Sequence, residues 1–244
     1  MPNLDAVYDA TRADVTDLLL SLSDEQLDTS VPATPDWTIK NIATHLAADA
    51  TCVINGDFPT SFFDAFGEPE AVAQVNGWTA GQLADREGRT LGEILAEWDE
   101  SAKTVSSMMR GEQDWAEGMP WFADRVLLTD VAVHQQDIYG ALGIEKDRES
   151  VQVKVGLAGY IGTMDFRLKA AGAPAMRFEA GEKSWVAGEG EPAATLRSNR
   201  WELFRAMSGR RNPGQIGAYD WTGDPEPFIP FFYPYGVRAD ALVE

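Results

Sequence analysis

Two stretches of the sequence decide how the chain folds and where its chemistry lies: TIKNIATHLAAD at residues 38–49 and LLTDVAVHQQD at residues 127–137. Each has apolar residues at the three- and four-residue spacing of an amphipathic helix. The chain contains 2 histidines, and each stretch carries one of them, His45 and His134. A carboxylate stands one helical turn from each histidine, on the same helix face. The pattern therefore predicts two helices that present imidazole and carboxylate groups side by side.

This arrangement predicts a metal site. Imidazole and carboxylate groups on rigid helices suit a divalent transition metal. If the two helices pack together, His45, Asp130 and His134 form a face with open positions, which is typical of catalytic metal sites. The residues alone leave a second interpretation open. In that interpretation the histidines are structural, and Asp130 and Asp137 are ordinary helix carboxylates.

The rest of the chain has the pattern of a helical bundle followed by a smaller mixed domain. Apolar spacing and capping boxes predict further helices, at residues 4–22, 23–26, 72–85, 90–109 and 150–171. Residues 56–74 are predicted to be a loop. After Pro174 the pattern changes to short strand-like runs, a helix over residues 198–209 and an aromatic, proline-rich tail. We therefore predict an α+β protein with a helical bundle over residues 1–172 and a small α+β domain over residues 173–244.

Composition argues against several classes of partner. The formal net charge is −19, and so acidic a chain repels nucleic-acid phosphates and anionic lipid surfaces. We therefore expect no nucleic-acid or membrane partner. No stretch approaches the ~20 apolar residues of a membrane span, and the first residues lack the pattern of a signal peptide. The single cysteine, Cys52, fits a cytoplasmic protein and is expected to be a small buried side chain.

Motifs in order along the chain resemble those of a known family. PDWTIKNIATHLA at residues 35–47 and DVAVHQQDIYGALG at residues 130–143 are similar to the two metal-site segments of mycothiol-dependent maleylpyruvate isomerases. LFRAMSGRR at residues 203–211 and YDWTGD at residues 219–224 resemble the C-terminal domain of that family. The family belongs to the DinB-like superfamily of metal-binding proteins. The resemblance therefore implies that the predicted bundle is a DinB-like four-helix bundle.

The resemblance also implies a cofactor set. His45, Asp130 and His134 would hold a divalent metal, zinc above all, and mycothiol or a similar thiol would be the second cofactor. The family usually has glutamate where this chain has Asp130, whose side chain is one methylene shorter. Asp49 and Asp137 become candidates to accept hydrogen bonds from the remaining ring nitrogens of the two histidines.

The activity that the resemblance implies is thiol chemistry on a small molecule. The expected enzyme is a metal- and thiol-dependent isomerase or S-transferase that acts on a small electrophilic, anionic substrate, as maleylpyruvate isomerases do. A non-enzymatic DinB-like protein that binds a metal or another ligand is the alternative, because a fold does not fix a reaction.

Arginines supply the candidate anion-binding residues. A cluster of arginines between residues 197 and 211 forms a basic island in an acidic chain. Within it, Arg210 and Arg211 are predicted to bind the thiol cofactor. Arg86 is predicted to be catalytic, because the resembling family has a functional arginine in this general region. The alternative for the cluster is a solvated helix surface whose arginines pair with acids elsewhere.

Overall fold

The computed structural model describes residues 3–59, 67–119 and 122–244. These residues divide into two compact units, and each unit is described separately. The first unit contains residues 3–59, 73–146 without the gap at 120–121, and Glu244, whereas the second contains residues 67–72 and 147–243.

The first unit is built from helices. In chain order they are α1 (Leu4–Ser21), α2 (Asp24–Leu27), α3 (Ile39–Asn55), α4 (Pro69–Ala84), α5 (Leu91–Met109) and α6 (Ala123–Leu142). The first four residues of α4, 69–72, belong to the second unit. Of these helices, α3 packs against α5 and α6, and α1 packs against the same two helices. The four long helices α1, α3, α5 and α6 therefore form a four-helix bundle, as predicted.

Large apolar side chains fill the bundle core. Trp98 of α5 and Tyr8 of α1 are both fully buried, and the Trp98 indole N–H donates a hydrogen bond to the Tyr8 hydroxyl over 3.3 Å. The polar tip of each ring is thus satisfied inside the core, which is how aromatic residues of this kind are accommodated.

The two histidine-bearing helices have well-defined ends. Thr38 and Asn41 form a capping box at the start of α3, in which each side chain bonds the backbone N–H of the other residue. Gly56 ends α3 and Gly143 ends α6, both in the left-handed conformation at φ 71° and φ 66°. Because glycine adopts positive φ without steric cost, these positions stop the helices cleanly. Thr38 and Gly143 thus mark the start of α3 and the end of α6.

A short hairpin precedes α3. Its strands are β1 (Ser30–Val31) and β2 (Thr34–Thr38), which pair antiparallel. The prolines at positions 32 and 35 disfavour helix in the residues before them, which favours the extended conformation seen there. The hairpin places Trp37 directly before the helix that carries His45.

The second unit combines a mixed sheet with helices. Its elements are α7 (Val151–Ala170), β3 (Pro174–Ala180), β4 (Lys183–Ala187), β5 (Glu189–Arg197), α8 (Arg200–Met207), α9 (Pro213–Gly217), β6 (Asp220–Thr222) and a 3-10 turn (Ile229–Phe232). The strand order is β4-β3-β5-β6, with β3 and β5 parallel and the two outer strands antiparallel to their neighbours. The α+β character predicted for the C-terminal part is therefore confirmed.

The units meet in sequence between Lys146 and Asp147, whereas the sequence predicts a boundary near residue 172. The difference is the helix α7, which packs against α8 and β4 of the second unit. Its 20 residues make it as long as the bundle helices, and its sequence alone does not reveal its partner.

The loop predicted over residues 56–74 gives way to α4 at Pro69, and residues 60–66 lie outside the described residues.

Among the helices that the structure describes, none is both long and apolar enough to cross a bilayer.

Candidate metal centre

Packing of α3 against α6 brings the two histidines together. The imidazole rings of His45 and His134 lie edge to face, with centroids 5.1 Å apart. Both side chains are buried. The fold therefore brings together two residues that are far apart in the sequence, as the predicted bundle requires.

Asp130 completes a set of three potential ligands. One donor atom each from His45, Asp130 and His134 lies within 4.8 Å of the other two. The Asp130 carboxylate lies between the rings, with Oδ2 3.4 Å from Nε2 of His45 and Oδ1 3.6 Å from Nε2 of His134. The Asp130 side chain is 20% exposed, against 6% and 7% for the two histidines. The carboxylate is therefore the ligand candidate most accessible to solvent.

The second ring nitrogen of His45 is held by a glutamine. Oε1 of Gln82, on α4, lies 2.8 Å from Nδ1 of His45. Nε2 of the same amide donates to Oδ1 of Asp49 over 2.8 Å. Asp49 itself lies 3.5 Å from Nδ1, so the predicted carboxylate partner acts mainly through the amide. Sequence reasoning missed Gln82, because a lone glutamine in a helix of modest pattern carries no local signal.

The second ring nitrogen of His134 faces a carboxylate directly. Nδ1 of His134 lies 2.9 Å from Oδ2 of Asp137, whose side chain is fully buried. The predicted proximity of Asp137 to the histidine is therefore observed. A carboxylate oxygen at this distance favours a proton on Nδ1.

These contacts determine which nitrogen each ring offers. In the neutral form with protons on both Nδ1 atoms, each ring directs the lone pair of its Nε2 atom toward Asp130. Two such lone pairs and a carboxylate repel one another unless a positive charge, either a proton on His45 or a metal cation, lies among them. The donor set, two imidazole nitrogens and one carboxylate oxygen, thus fits a divalent metal such as zinc.

The charges around the site also favour a cation. Burial disfavours the imidazolium form of His45, but the carboxylates of Asp49 and Asp130 outweigh burial and raise the pKa of His45. Burial also raises the pKa of Asp49 above its ordinary value. Three carboxylates, those of Asp49, Asp130 and Asp137, surround two imidazoles, so the cluster attracts positive charge.

An aromatic ring covers one side of the cluster. The half-buried Trp37 ring has its centroid 4.9 Å from that of His45 and 5.9 Å from that of His134. Contact with a large rigid ring restricts the rotation of both imidazoles. Trp37 belongs to the PDWT motif quoted above, which gives that motif a structural reason.

Arg86, predicted to be catalytic, lies at the end of α4 with its guanidinium engaged by protein atoms. Its Nε donates to both carboxylate oxygens of Glu97 over 3.1 Å, and Nη1 donates to the Gln82 carbonyl over 3.1 Å. Glu97 also accepts a hydrogen bond from Thr51 over 2.9 Å. These contacts tie α4 to α5, and the catalytic role of Arg86 stays a prediction.

Arg210 and Arg211 lie in the second unit and are both buried. Arg211 Nε donates to Glu202 over 2.9 Å, and Nη1 of Arg210 donates to the Ser208 carbonyl over 2.7 Å. Their predicted role in binding a thiol cofactor stays a prediction. Cys52 is buried, as predicted, and burial raises the pKa of its thiol to about 11.

Comparison with known proteins identifies the family. The model of the mycothiol maleylpyruvate isomerase N-terminal domain matches residues 8–139, more than half of the chain. Crystal structures of the mycothiol-dependent maleylpyruvate isomerase and of its histidine-to-alanine mutant are similar in fold, with TM-scores of 0.56 and 0.57. Each is 13% identical to this chain, and the match covers 86% of this chain and 90% of the other.

At this identity the structural likeness shows the fold alone. No curated protein matches the sequence. The family assignment therefore rests on the sequence match over the helical bundle, which includes all three potential metal ligands. The chain belongs to the family of the mycothiol maleylpyruvate isomerase N-terminal domain.

Proposed function

We propose that this protein is a metal-dependent enzyme that uses a low-molecular-weight thiol, mycothiol or a close equivalent, on a small electrophilic and anionic substrate. The reaction is an isomerisation of the maleylpyruvate type or a transfer of the thiol sulfur. The observation that carries the proposal is the convergence of His45, Asp130 and His134 within 4.8 Å, in a chain of this family.

Three side chains would hold the metal. The donors are Nε2 of His45, Nε2 of His134 and a carboxylate oxygen of Asp130, and zinc accepts such a set. Three protein donors leave room for an external ligand, as catalytic zinc sites do. When bound, the dication lowers the pKa of a coordinated thiol, so that a thiolate is available near neutral pH.

The surrounding residues hold the rings in place. Gln82 and Asp137 lie at hydrogen-bonding distance from the two Nδ1 atoms, and this arrangement orients ligating histidines and keeps their Nε2 lone pairs available. Trp37 packs on both rings. These contacts preorganise the donors before any ligand arrives, which is a requirement of an efficient site.

The chemistry that this site supports is addition to an activated double bond. A bound thiolate would add to one alkene carbon while the π electrons move onto the conjugated carbonyl, so that the former double bond could rotate. Reversal of the electron flow would break the carbon–sulfur bond, return the thiolate and leave the trans alkene. An S-transferase would keep the carbon–sulfur bond, and the carbanion would take a proton from solvent.

Arginines would bind the carboxylates of the substrate or of the thiol. We assign this role to Arg86, Arg210 and Arg211 as part of the proposal, because guanidinium groups bind carboxylates in a bidentate manner. Each of these three guanidinium groups already donates hydrogen bonds within the protein. A bound anion would therefore share the guanidinium with those acceptors. Substitution of each by lysine, which keeps charge but not the fork, is the matching test.

The deciding experiment combines metal content with a thiol-dependent assay. The purified protein is loaded with Zn²⁺, dialysed, and analysed by plasma mass spectrometry. It is then mixed with maleylpyruvate and mycothiol, and formation of the trans product is followed by chromatography. We expect bound zinc and thiol-dependent turnover, both lost in His45→Ala.

The other outcomes separate the alternatives. Bound zinc without turnover or thiol binding would indicate a non-enzymatic metal-binding protein. Zinc content that is unchanged in His45→Ala would refute the proposed ligand set. Ser106→Ala is the matched control: its hydroxyl bonds Asp9 over 2.6 Å between α5 and α1, so its loss perturbs the bundle but not the metal ligands.

A further inference from the structure

A buried glutamine of α4 contacts three side chains of α3. Gln82 lies on α4 with only 4% of its surface exposed. Its Oε1 lies 2.8 Å from Nδ1 of His45, and its Nε2 lies 2.8 Å from Oδ1 of Asp49. The same Nε2 is 3.7 Å from the Cys52 sulfur. Both ends of the amide are therefore used inside the protein.

The partners fix which way the amide points. An oxygen of the Asp49 carboxyl group accepts a hydrogen bond from the NH₂ group of Gln82 over 2.8 Å. The carbonyl end then faces His45, where it accepts a hydrogen bond from the Nδ1–H group. A neutral His45 is thereby held as the tautomer whose Nε2 carries a lone pair, which is the form that binds a metal.

Contacts outside the metal site hold Gln82 in position. The backbone carbonyl of Gln82 accepts a hydrogen bond from Nη1 of Arg86 over 3.1 Å, and Arg86 in turn binds Glu97 of α5. The α4 backbone is thus anchored to α5 at the residue whose side chain reaches His45 on α3. A shift of this anchor would move the amide relative to the ring.

We infer that Gln82 is a positioning residue of the metal site. Its amide oxygen holds the His45 ring, and its amide NH₂ group links that contact to the Asp49 carboxylate. This inference rests on the proposed function, because it takes His45 to be a metal ligand. It makes the two histidines unequal: Asp137 faces His134 directly, whereas an amide separates His45 from its carboxylate.

The test is a reciprocal exchange of groups. Gln82→Leu removes both contacts while keeping similar bulk. The double variant Gln82→Glu with Asp49→Asn swaps the amide and the carboxylate. In the double variant, the new carboxylate at position 82 accepts from both His45 and the new amide at position 49, so the network is rebuilt with its parts exchanged.

The measurements are the Zn²⁺ dissociation constant, by competition with a chromogenic chelator, and the visible spectrum of the Co²⁺-loaded protein. We expect Gln82→Leu to weaken zinc binding about 10–100-fold and to alter the cobalt spectrum. The double variant should recover most of the affinity and the wild-type spectrum. Ser106→Ala removes the partly buried hydrogen bond from the Ser106 hydroxyl to Asp9 in the same bundle, and this variant should bind zinc as the wild type does.

Each result has one meaning. If the wild type binds no zinc, the proposed function fails and this inference fails with it. If the wild type binds zinc and Gln82→Leu binds it equally well, the inference alone is overturned. Weak binding in both Gln82→Leu and the double variant would also overturn it, because loss without rescue indicates packing. Should Gln82→Leu fail to fold, the double variant decides alone, by retaining zinc or losing it.

Discussion

Nδ1 of His134 lies 2.9 Å from Oδ2 of Asp137, one turn further along the same helix, and the carboxylate is fully buried. With Asp130 one turn before His134, α6 supplies two of the three ligand candidates and the group that orients one of them. The geometry of this half of the site is therefore fixed by one helix. The other half depends on the packing of α3 and α4.

The first prediction concerns the buried carboxylate behind His134. Asp137→Asn keeps the shape of the side chain but removes its charge, so the ring loses the negative charge 2.9 Å from its Nδ1 atom. We expect zinc affinity to fall about 10–100-fold, measured by chelator competition. Asp124→Asn, in the first turn of the same helix, should leave the affinity unchanged. Equal affinity in Asp137→Asn and the wild type would contradict the role given to Asp137.

The second prediction concerns the carboxylate between the rings. Asp130→Ala removes a ligand, and we expect zinc affinity to fall by more than about 100-fold, beyond the range expected for a residue behind the ligands. Asp130→Glu keeps a carboxylate at this position and should retain binding. Isothermal titration of both variants tests this. Retained affinity in Asp130→Ala would show that this carboxylate is not a ligand.

The third prediction concerns stability in acid. Burial raises the pKa of Glu97, but hydrogen bonds from Arg86 and Thr51 more than compensate and hold its pKa below its ordinary value of 4.5. A depressed pKa in the folded state stabilises the protein above pH 4.5, and this stabilisation is lost as the pH falls through the folded-state pKa.

Denaturant unfolding across this range should therefore show a fall in the free energy of unfolding. The Glu97→Gln variant should show a shallower fall, because the titrating group is gone. A variant with the same pH dependence as the wild type would rule Glu97 out as a source of the acid sensitivity.

The fourth prediction uses two glycines of α7. A Cβ atom at Gly156 would lie 2.5 Å from Cε2 of Phe204, whereas a Cβ at Gly162 would meet nothing within 4 Å. Gly156→Ala should therefore destabilise the protein by about 1–3 kcal/mol through overpacking. Gly162→Ala should stabilise it by up to about 1 kcal/mol through helix propensity. Chemical denaturation of both variants tests the packing of α7 on α8, and equal effects would contradict it.

The fifth prediction concerns the bundle core. Trp98→Ala leaves a cavity beside Tyr8 and should cost about 3–5 kcal/mol. Tyr8→Phe removes only the acceptor of the indole N–H and should cost about 1 kcal/mol. The difference, measured by denaturant unfolding, separates the contribution of volume from that of the hydrogen bond. Similar costs for both would show that the cavity closes by relaxation.

Local patterns predicted the histidine-bearing helices well. Helical spacing placed His134 with Asp130 and Asp137 on one face, because residues three and four apart share a face in any α-helix. The capping box at Thr38 and the glycine after α6 are likewise local signals, and the structure contains both. The family resemblance, carried by motifs on these elements, is confirmed by the sequence match.

The sequence patterns did not predict contacts between segments that are distant along the chain. Gln82 reaches His45 across 37 positions of the chain, and no periodicity marks a side chain that bonds another helix. The placement of α7 in the second unit is a similar case. An amphipathic helix shows that it must pack, but not on what.

The relay through Gln82 also bears on how such a site changes during evolution. The ligands and the residue that orients one of them lie on different helices, so a substitution at position 82 alters the donor strength of His45 and leaves the coordinating atoms untouched. Under the proposed function, relatives with the same three ligand side chains would then differ in metal affinity, and with it in the acidity of a bound thiol, through one residue of α4.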